Sequence, residues 1–262
     1  MTIRINTLLL LFFATLFFSC SSNTAENNSS TENSTETEKI AESTKSILIF
    51  SKTNGYRHES IEPGQASLKT LAAKNNWNVE LTEDSTAFNT ENLSKFAAVI
   101  FLSTTGDVLG EKEEAAFENY INSGGGFFGI HAAADTEYDW AFYNQLVGAY
   151  FDSHPNDPNV REATVVCKDK THSCTKHLPE KWVRSDEWYN YKSIQSNLKV
   201  LLELDETSYE GGTNGSFHPI AWYHDQGKGR AIYTGGGHTS ESFSEELFLQ
   251  HLEGAIKYAI GQ

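Results

Sequence analysis

Residues 97–131, AAVIFLSTTGDVLGEKEEAAFENYINSGGGFFGIH, place an amphipathic segment between two short apolar runs. The runs 97–102 and 127–130 have the length and composition of strands that are buried on both faces of a sheet. Glu111–Ser123 carries apolar residues at helical spacing and stops at a glycine triplet. The order of strand, helix and strand predicts a parallel sheet covered by helices.

The same alternation continues on both sides of this unit. It predicts strands at 46–51 and 77–82 and helices at 63–75 and 139–147. The second half has strand-like runs with few helices between them, at 160–166, 199–204, 217–223 and 230–234, and a terminal helix at 241–260. These strands either extend the sheet or form an antiparallel annex. We therefore predict an α/β fold with a mostly parallel sheet, helices on both faces and extra strands in the C-terminal half.

Composition excludes several classes of protein and partner. The chain has 262 residues, of which 39% are apolar and 21% charged, so it is not a wholly disordered chain. Lys and Arg number 20 against 35 Asp and Glu, which gives a net charge of -15. A field of that sign repels phosphate backbones, so we expect no nucleic-acid partner.

The N-terminus has the pattern of an export signal. Leu8–Phe18 is an apolar stretch that follows Arg4 and ends shortly before Cys20. A small residue before a cysteine at this point resembles a bacterial lipoprotein signal, which predicts a signal peptide at 1–19, a lipid on Cys20 and a membrane anchor facing the periplasm or cell surface. The alternative is an ordinary signal peptide cut elsewhere. Residues 20–45 are polar and acidic, which predicts a flexible tether before a folded domain at 46–262.

Histidines stand where three of the predicted strands end. His58 follows the first strand, His131 the fourth and His238 the last. The carboxyl ends of parallel strands meet at one sheet edge, so we expect these imidazoles to converge. His131 occupies a strand-to-helix turn of the nucleophile-elbow type, where imidazole can act as base, acid or metal ligand but replaces Ser or Cys poorly. No metal-binding spacing is present, so the sequence leaves a divalent metal open.

Further polar and aromatic residues are candidates for ligand contact. Glu187, in an acidic pair with Asp186, can orient an imidazole, although a solvated face is the alternative. Trp188 and Tyr189 follow this pair directly, and such rings either stack on sugars or pack in the core. Candidates added from the loops after predicted strands and the segments beyond them are Tyr56, Arg57, Asp135, His154 and His218.

Two cysteines outside the N-terminus lie close together in the chain. Cys167 and Cys174 flank a short segment, and export makes a disulfide between them the expectation. The alternative is a zinc site formed by both thiolates with His172 or His177.

Five motifs taken together resemble the ThuA-like family, named for trehalose utilisation. They are Gly55-Tyr-Arg-His58-Glu-Ser-Ile61, Gly125-Gly-Phe-Phe-Gly-Ile-His131, Asp186-Glu-Trp-Tyr189, His218-Pro-Ile-Ala-Trp222 and Gly227-Lys-Gly-Arg-Ala-Ile-Tyr-Thr-Gly-Gly-Gly-His-Thr239. The resemblance covers about residues 46–260. It implies the flavodoxin-like, class I glutamine amidotransferase-like fold. It also implies that the elbow cysteine of that superfamily is replaced by His131, which argues against glutaminase activity.

The resemblance further implies a role in sugar catabolism, near enzymes that oxidise disaccharides to keto-sugars. By motif position it makes His58, His131, Glu187, His218 and His238 pocket residues. Two functions remain open. The first is an enzyme that acts on a sugar or keto-sugar as isomerase, lyase or hydrolase, with His131, Glu187, His58 and His238 as catalytic groups. The second is a lipid-anchored carbohydrate-binding protein that uses the same pocket without chemistry.

Replacement of Cys20 by Ala tests the predicted anchor. Without a thiol to carry lipid, the protein should leave the membrane fraction or keep its unprocessed mass. Fractionation and intact-mass measurement of wild type and Cys20→Ala give the comparison. Identical fractionation and mass of the two proteins would contradict the prediction.

Overall fold

A computed structural model describes residues 44–262. The predicted signal peptide, Cys20 and the tether up to residue 43 lie outside the described residues. Within residues 44–262, no helix combines the length and the apolar content that crossing a bilayer requires.

Eleven strands and five α-helices make up the described chain. The strands are β1 (Ser46–Phe50), β2 (Asn78–Thr82), β3 (Ala98–Leu102), β4 (Gly126–Ile130), β5 (Tyr150–Ser153), β6 (Val160–Cys167), β7 (Lys181–Glu187), β8 (Asn190–Lys192), β9 (Lys199–Asp205), β10 (Pro219–Gln226) and β11 (Gly229–Thr234). The helices are α1 (Ile61–Lys74), α2 (Thr90–Leu93), α3 (Glu111–Asn122), α4 (Ala141–Val147) and α5 (Glu246–Ala259). The predicted terminal helix is two elements, a 3₁₀ turn at Glu241–Ser244 followed by α5.

Nine strands form one sheet in the order β2-β1-β3-β4-β11-β10-β9-β6-β7. The pairs from β2 to β11 are parallel, and the pairs from β11 to β7 are antiparallel. The strands of the second half therefore extend the main sheet rather than forming a separate annex. Strands β5 and β8 pair apart from it as a two-stranded sheet. The α/β fold with a mostly parallel core and added C-terminal strands is confirmed.

Helices cover both faces of the parallel part. Gly126 in β4 has no room for a side chain, because the carbonyl of Ala259 at the end of α5 lies against it. The next residue, Phe127, packs against Phe117 of α3 and Tyr143 of α4, with ring centroids 6.3 and 6.0 Å away. Successive side chains of a strand point to opposite faces, so α5 covers one face and α3 and α4 the other.

Strand β7 is an edge strand that the sequence pattern did not predict. Trp182, Arg184 and Asp186 are buried and alternate with exposed residues, and the last residue of the strand, Glu187, is buried as well. Two of the three inward side chains are charged, so the apolar alternation that normally identifies a strand is missing. The sequence did not predict the short strands β5 and β8 either, because they contain too few residues to show an alternation.

The expected disulfide is wrong. Cys167 and Cys174 are both free and buried. The Cys167 thiol faces the carbonyl oxygen of Asp169 at 3.5 Å, whereas the Cys174 thiol lies 3.0 Å from Nδ1 of His172. Burial raises the pKa of both thiols, which disfavours the thiolates that oxidation and zinc binding need. Among the described residues, the groups close enough to share a metal ion include neither cysteine.

Thiol counting tests the free cysteines. Alkylation of denatured, unreduced Cys20→Ala protein should label two thiols per chain, Cys167 and Cys174. Native protein should react much more slowly, since burial protects both side chains. Mass spectrometry counts the labels, and an unlabelled denatured chain would restore the disulfide.

Candidate active site

Four candidate side chains meet beyond the carboxyl ends of the strands. His58 lies between β1 and α1, His131 directly follows β4, and His238 lies beyond the end of β11. Glu187 is the last residue of β7. The structure brings the three imidazoles together, with ring centroids 4.8, 5.1 and 5.2 Å apart.

Glu187 stands between two of these imidazoles. Its Oε2 lies 2.9 Å from Nδ1 of His238 and 3.4 Å from Nε2 of His131. The two imidazole nitrogens are themselves 3.3 Å apart. With His58, the four residues each present one ligand atom within 4.8 Å of the others, so they could hold a metal ion. We call these four residues the His–Glu cluster.

The backbone at His131 is strained. Its φ is 49°, in the left-handed region that non-glycine residues rarely adopt, and it begins a 3₁₀ turn that ends at Ala134. The hydroxyl of Tyr233 donates to its carbonyl oxygen at 2.7 Å, and its Nδ1 lies 2.9 Å from the carbonyl oxygen of Gly235. These bonds hold the fully buried imidazole with Nε2 directed at the cluster. The elbow-like turn that the sequence predicted is therefore present, with His at its apex.

Asp186 joins β7 to the loop that carries His238. It is fully buried, and its carboxylate accepts hydrogen bonds from the backbone N–H groups of Gly237 at 2.8 Å and His238 at 3.0 Å. Its charge is balanced by Arg184, whose guanidinium donates to Oδ2 at 2.8 Å. Asp186 thus holds the backbone of the loop that carries His238 next to the end of β7, where Glu187 lies.

Each ionisable group of the cluster is perturbed by its neighbours. Burial opposes ionisation of Glu187, but the neighbouring imidazoles of His131 and His238 together outweigh burial and lower the pKa of the carboxyl. Burial also disfavours the charged form of His238, yet the bond to Glu187 raises its pKa. Burial, followed by repulsion from the other two histidines, lowers the pKa of His58 to about 2, so this ring stays neutral.

A cavity of about 420 Å³ opens above the cluster. Its walls combine aromatic rings with polar groups, as small-molecule sites do. Tyr56 lies at the rim and is 65% exposed. The ring centroid of Tyr189 lies 4.3 Å from that of His131. The residues that line the cavity are Tyr56, His58, Asp135, Phe151, His154, Asn156, Asp157, Pro158, Asn159, Glu187, Tyr189 and His238.

Two of the weaker sequence candidates lie in this cavity. His154 places Nε2 3.6 Å from Oε1 of Glu187. Asp135 accepts a hydrogen bond from the hydroxyl of Tyr138 at 2.6 Å, and burial raises the pKa of its carboxyl. Both side chains therefore face the same space as the His–Glu cluster.

Three predicted ligand contacts lie elsewhere. Arg57 is exposed and pairs with Glu62 and Glu83 outside the cavity. Trp188 is buried, and its indole N–H donates to a backbone carbonyl at 2.7 Å, so it belongs to the core.

His218 is the third misplaced candidate. Its Nδ1 lies 2.7 Å from Glu206 and its Nε2 lies 2.8 Å from the carbonyl oxygen of Tyr189, so both ring nitrogens are occupied by structural bonds. A histidine with both nitrogens engaged has no atom left for a ligand. It instead supports the backbone of Tyr189, which does line the cavity.

The sequence reasoning missed the loop before β6. Asn156, Asp157 and Asn159 line the cavity, and the Nδ2 of Asn159 donates to Oε1 of Glu187 at 2.7 Å. The cluster of Asn, Asp and Pro in this segment marks a loop but not its function. Phe151 was also missed, since it lies on the short strand β5.

Comparison with known proteins identifies the kind of domain. The family model described as ThuA, trehalose utilisation, matches residues 46–259. A protein from Bacteroides uniformis described as ThuA-like has a crystal structure that superposes with a TM-score of 0.71 at 25% identity, over 82% of this chain and 91% of that one. No curated protein sequence matches the chain.

Two more distant structures share the fold. A protein from Parabacteroides merdae described as ThuA-like gives a TM-score of 0.61 at 18% identity, over 84% of this chain and 91% of that one. A protein from Salmonella typhimurium described as cytoplasmic gives 0.58 at 12% identity, over 82% of this chain and 99% of that one.

Substitution of Asp186 by Asn tests its positioning role. An amide keeps the shape but removes the charge opposite Arg184 and turns one acceptor into a donor that faces N–H groups. We expect the free energy of unfolding to fall by about 2–5 kcal/mol. The exposed Asp139→Asn is the matched control and should change it by less than about 0.5 kcal/mol. Urea unfolding followed by Trp fluorescence measures both, and equal stabilities would show that the carboxylate holds nothing in place.

Proposed function

From the premise that the chain belongs to the ThuA, trehalose utilisation family, we propose that it is an enzyme that acts on a sugar or keto-sugar. The reaction class is isomerisation, elimination or hydrolysis, with the His–Glu cluster as the reactive centre. Lipid anchoring through Cys20 would place this activity at an exported membrane surface, in the periplasm or on the cell surface.

The observation that carries the proposal is the burial of the cluster at the floor of the cavity. The Glu187 side chain is 4% exposed, that of His131 is fully buried, and their polar atoms face each other rather than water. Burying charged and polar groups costs free energy unless an interaction or a reaction uses them. A carbohydrate-binding protein needs aromatic rings and amides in its pocket, and gains nothing from such a cluster.

The cavity wall suits a sugar. The rings of Tyr189 and Phe151 lie 4.4 Å apart and offer an apolar face, on which the C–H face of a pyranose can pack. Asn156 and Asn159 add amide donors and acceptors for hydroxyl groups. A volume of about 420 Å³ lies within the range of small-molecule sites.

The groups of the cluster suit chemistry beside a carbonyl group. The Glu187 carboxylate lies against the imidazoles of His131 and His238 and near that of His154, at 3.4, 2.9 and 3.6 Å. Carboxylates and imidazoles at such positions move protons or polarise a carbonyl oxygen. The strained turn carries His131 where acyl-transfer enzymes carry Ser or Cys, so glutaminase activity is not part of the proposal.

Two substitutions in the cluster test the proposal. His131→Ala and Glu187→Gln should each lower turnover by about 10²–10⁴-fold, the loss typical of an acid or base. His177→Ala is the control, because His177 lies outside the cavity and its Nε2 is hydrogen-bonded to the carbonyl oxygen of Leu247. The assay incubates each protein with trehalose, glucosides and their 3-keto derivatives, with and without added divalent metal, and follows products by mass spectrometry.

The outcomes separate the two functions. Turnover by wild type and the control, but not by the cluster variants, supports the enzyme. Binding of a sugar by wild type without any conversion would make the chain a carbohydrate-binding protein. Equal conversion by wild type and His131→Ala would remove this residue from the reaction.

A further inference from the structure

We propose that the His–Glu cluster binds one divalent metal ion of the zinc class, held by His131, His238 and Glu187 with His58 beside them. The inference rests on the proposed function for the role of the ion. Binding itself is measured without any substrate.

The distances within the cluster are those between ligands of one small cation. Zinc bonds of about 2.0–2.2 Å place neighbouring ligand atoms about 2.9 Å apart at a right angle and about 3.3 Å apart at the tetrahedral angle. Nε2 of His131, Nδ1 of His238 and Oε2 of Glu187 are 2.9, 3.3 and 3.4 Å from one another. All three atoms can therefore bind the same ion.

The hydrogen bonds of His131 leave one of its ring nitrogens able to bind a cation. Its Nδ1 faces the carbonyl oxygen of Gly235 at 2.9 Å, and a carbonyl can only accept, so Nδ1 carries the proton. In the neutral ring, Nε2 then carries a lone pair instead of a proton. This lone pair faces the Glu187 carboxylate and Nδ1 of His238. The one proton on Nδ1 of His238 cannot be donated fully to both of these acceptors, whereas a metal ion accepts a lone pair from all three atoms.

A doubly protonated His131 is the other arrangement that would satisfy these atoms. It would place an imidazolium at a fully buried position, with the rings of His58 and His238 centred 4.8 and 5.2 Å away. The nearest carboxylate, that of Glu187, lies 3.4 Å from its Nε2 and is already paired with His238 at 2.9 Å. With a bound metal ion all three imidazoles are neutral, and the carboxylate binds the ion directly instead of a protonated ring.

The surroundings are those of metal ligands. Ligating histidines usually donate their second N–H to a carbonyl or carboxylate, as His131 does to Gly235. The other oxygen of Glu187 accepts from Nδ2 of Asn159 at 2.7 Å, and the backbone of His238 is held by Asp186 at 3.0 Å. These contacts orient the ligand atoms before an ion arrives.

His58 supplies a second, independent observation. It is 3% exposed, and its Nδ1 has no hydrogen-bond partner within residues 44–262. One of its ring nitrogens lies within 4.8 Å of each of the other three ligand atoms. A buried histidine with an unpaired ring nitrogen is costly, and closeness to a bound ion explains why a histidine is placed there.

The donor set indicates the kind of ion. Imidazole nitrogens with one carboxylate suit zinc and its neighbours in the first transition row, while the absence of thiolate from this cluster disfavours soft ions. Glu187, His58 and His238 also line the cavity, so an ion held here would be open to a ligand from that side. A bound ion of this kind would supply Lewis acidity toward a carbonyl or hydroxyl oxygen of the sugar.

Metal analysis of the purified full-length protein tests the inference. After removal of metal by a chelator and dialysis, Zn²⁺ and Co²⁺ are titrated in, and bound metal is measured by mass spectrometry. We expect one ion per chain, with visible absorption bands from Co²⁺ of low coordination number. Zn²⁺ should also raise the melting temperature, since it binds the folded state.

Variants connect the metal to the cluster. Glu187→Gln and His131→Ala should lower Zn²⁺ affinity by more than about 100-fold. Asn159→Ala removes the side chain that contacts Glu187 and His238 and should lower it by about 10–100-fold. His177→Ala should bind as wild type does. Far-UV circular dichroism checks folding, and the Asn159→Ala result decides the matter if the ligand variants do not fold.

Two results would overturn the inference. They are no bound ion above the level of the chelated protein, or an ion retained equally by wild type and all cluster variants. Unchanged sugar conversion after complete metal removal would refute a role of the ion in the reaction and leave the proposed function standing. One bound ion without any sugar conversion would keep the metal site and refute the enzyme.

Discussion

The buried carboxylate of Asp186 is the interaction on which the site depends. It binds the N–H groups of Gly237 and His238 and is paired with Arg184, all inside the protein. Burial disfavours its charge, but attraction to Arg184 and the backbone N–H groups of Gly237 and Glu187 contribute to outweighing burial and to lowering its pKa. This contact joins the end of the edge strand β7, where Glu187 lies, to the loop that carries His238, while Trp182 and Arg184 of the same strand bond Glu245.

This contact explains how a strand at the far edge reaches the centre. In the sheet order β7 is four positions from β11, yet Asp186 bonds the loop that follows β11. The antiparallel half must therefore curl back over the ends of the parallel strands, which agrees with the right-handed twist that sheets accumulate. The parallel half supplies the imidazoles, and the curled half supplies the carboxylate and much of the cavity wall.

The positions of the predicted strand ends located the histidines of the site but not all of their neighbours. His58, His131 and His238 were predictable, because parallel strands end at one edge and each stands just beyond such an end. Trp188 and His218 were predicted to contact the ligand but have structural roles. A motif in the sequence does not show whether its aromatic ring or imidazole contacts a ligand or packs in the core. Asn159 gave no signal at all, because loop asparagines are common and its contact with Glu187 spans 28 residues.

The sequence by itself determined the main alternation of strands and helices in the first half, its parallel character and the three histidines, because apolar periodicity and strand ends are local properties. Only the tertiary structure decided that the later strands join the same sheet, that Cys167 and Cys174 remain apart, and that Glu187 faces His131 and His238. These depend on pairings between distant segments and on side-chain directions. Such contacts form when the sheet curls and buries Asp186, and no local pattern encodes them.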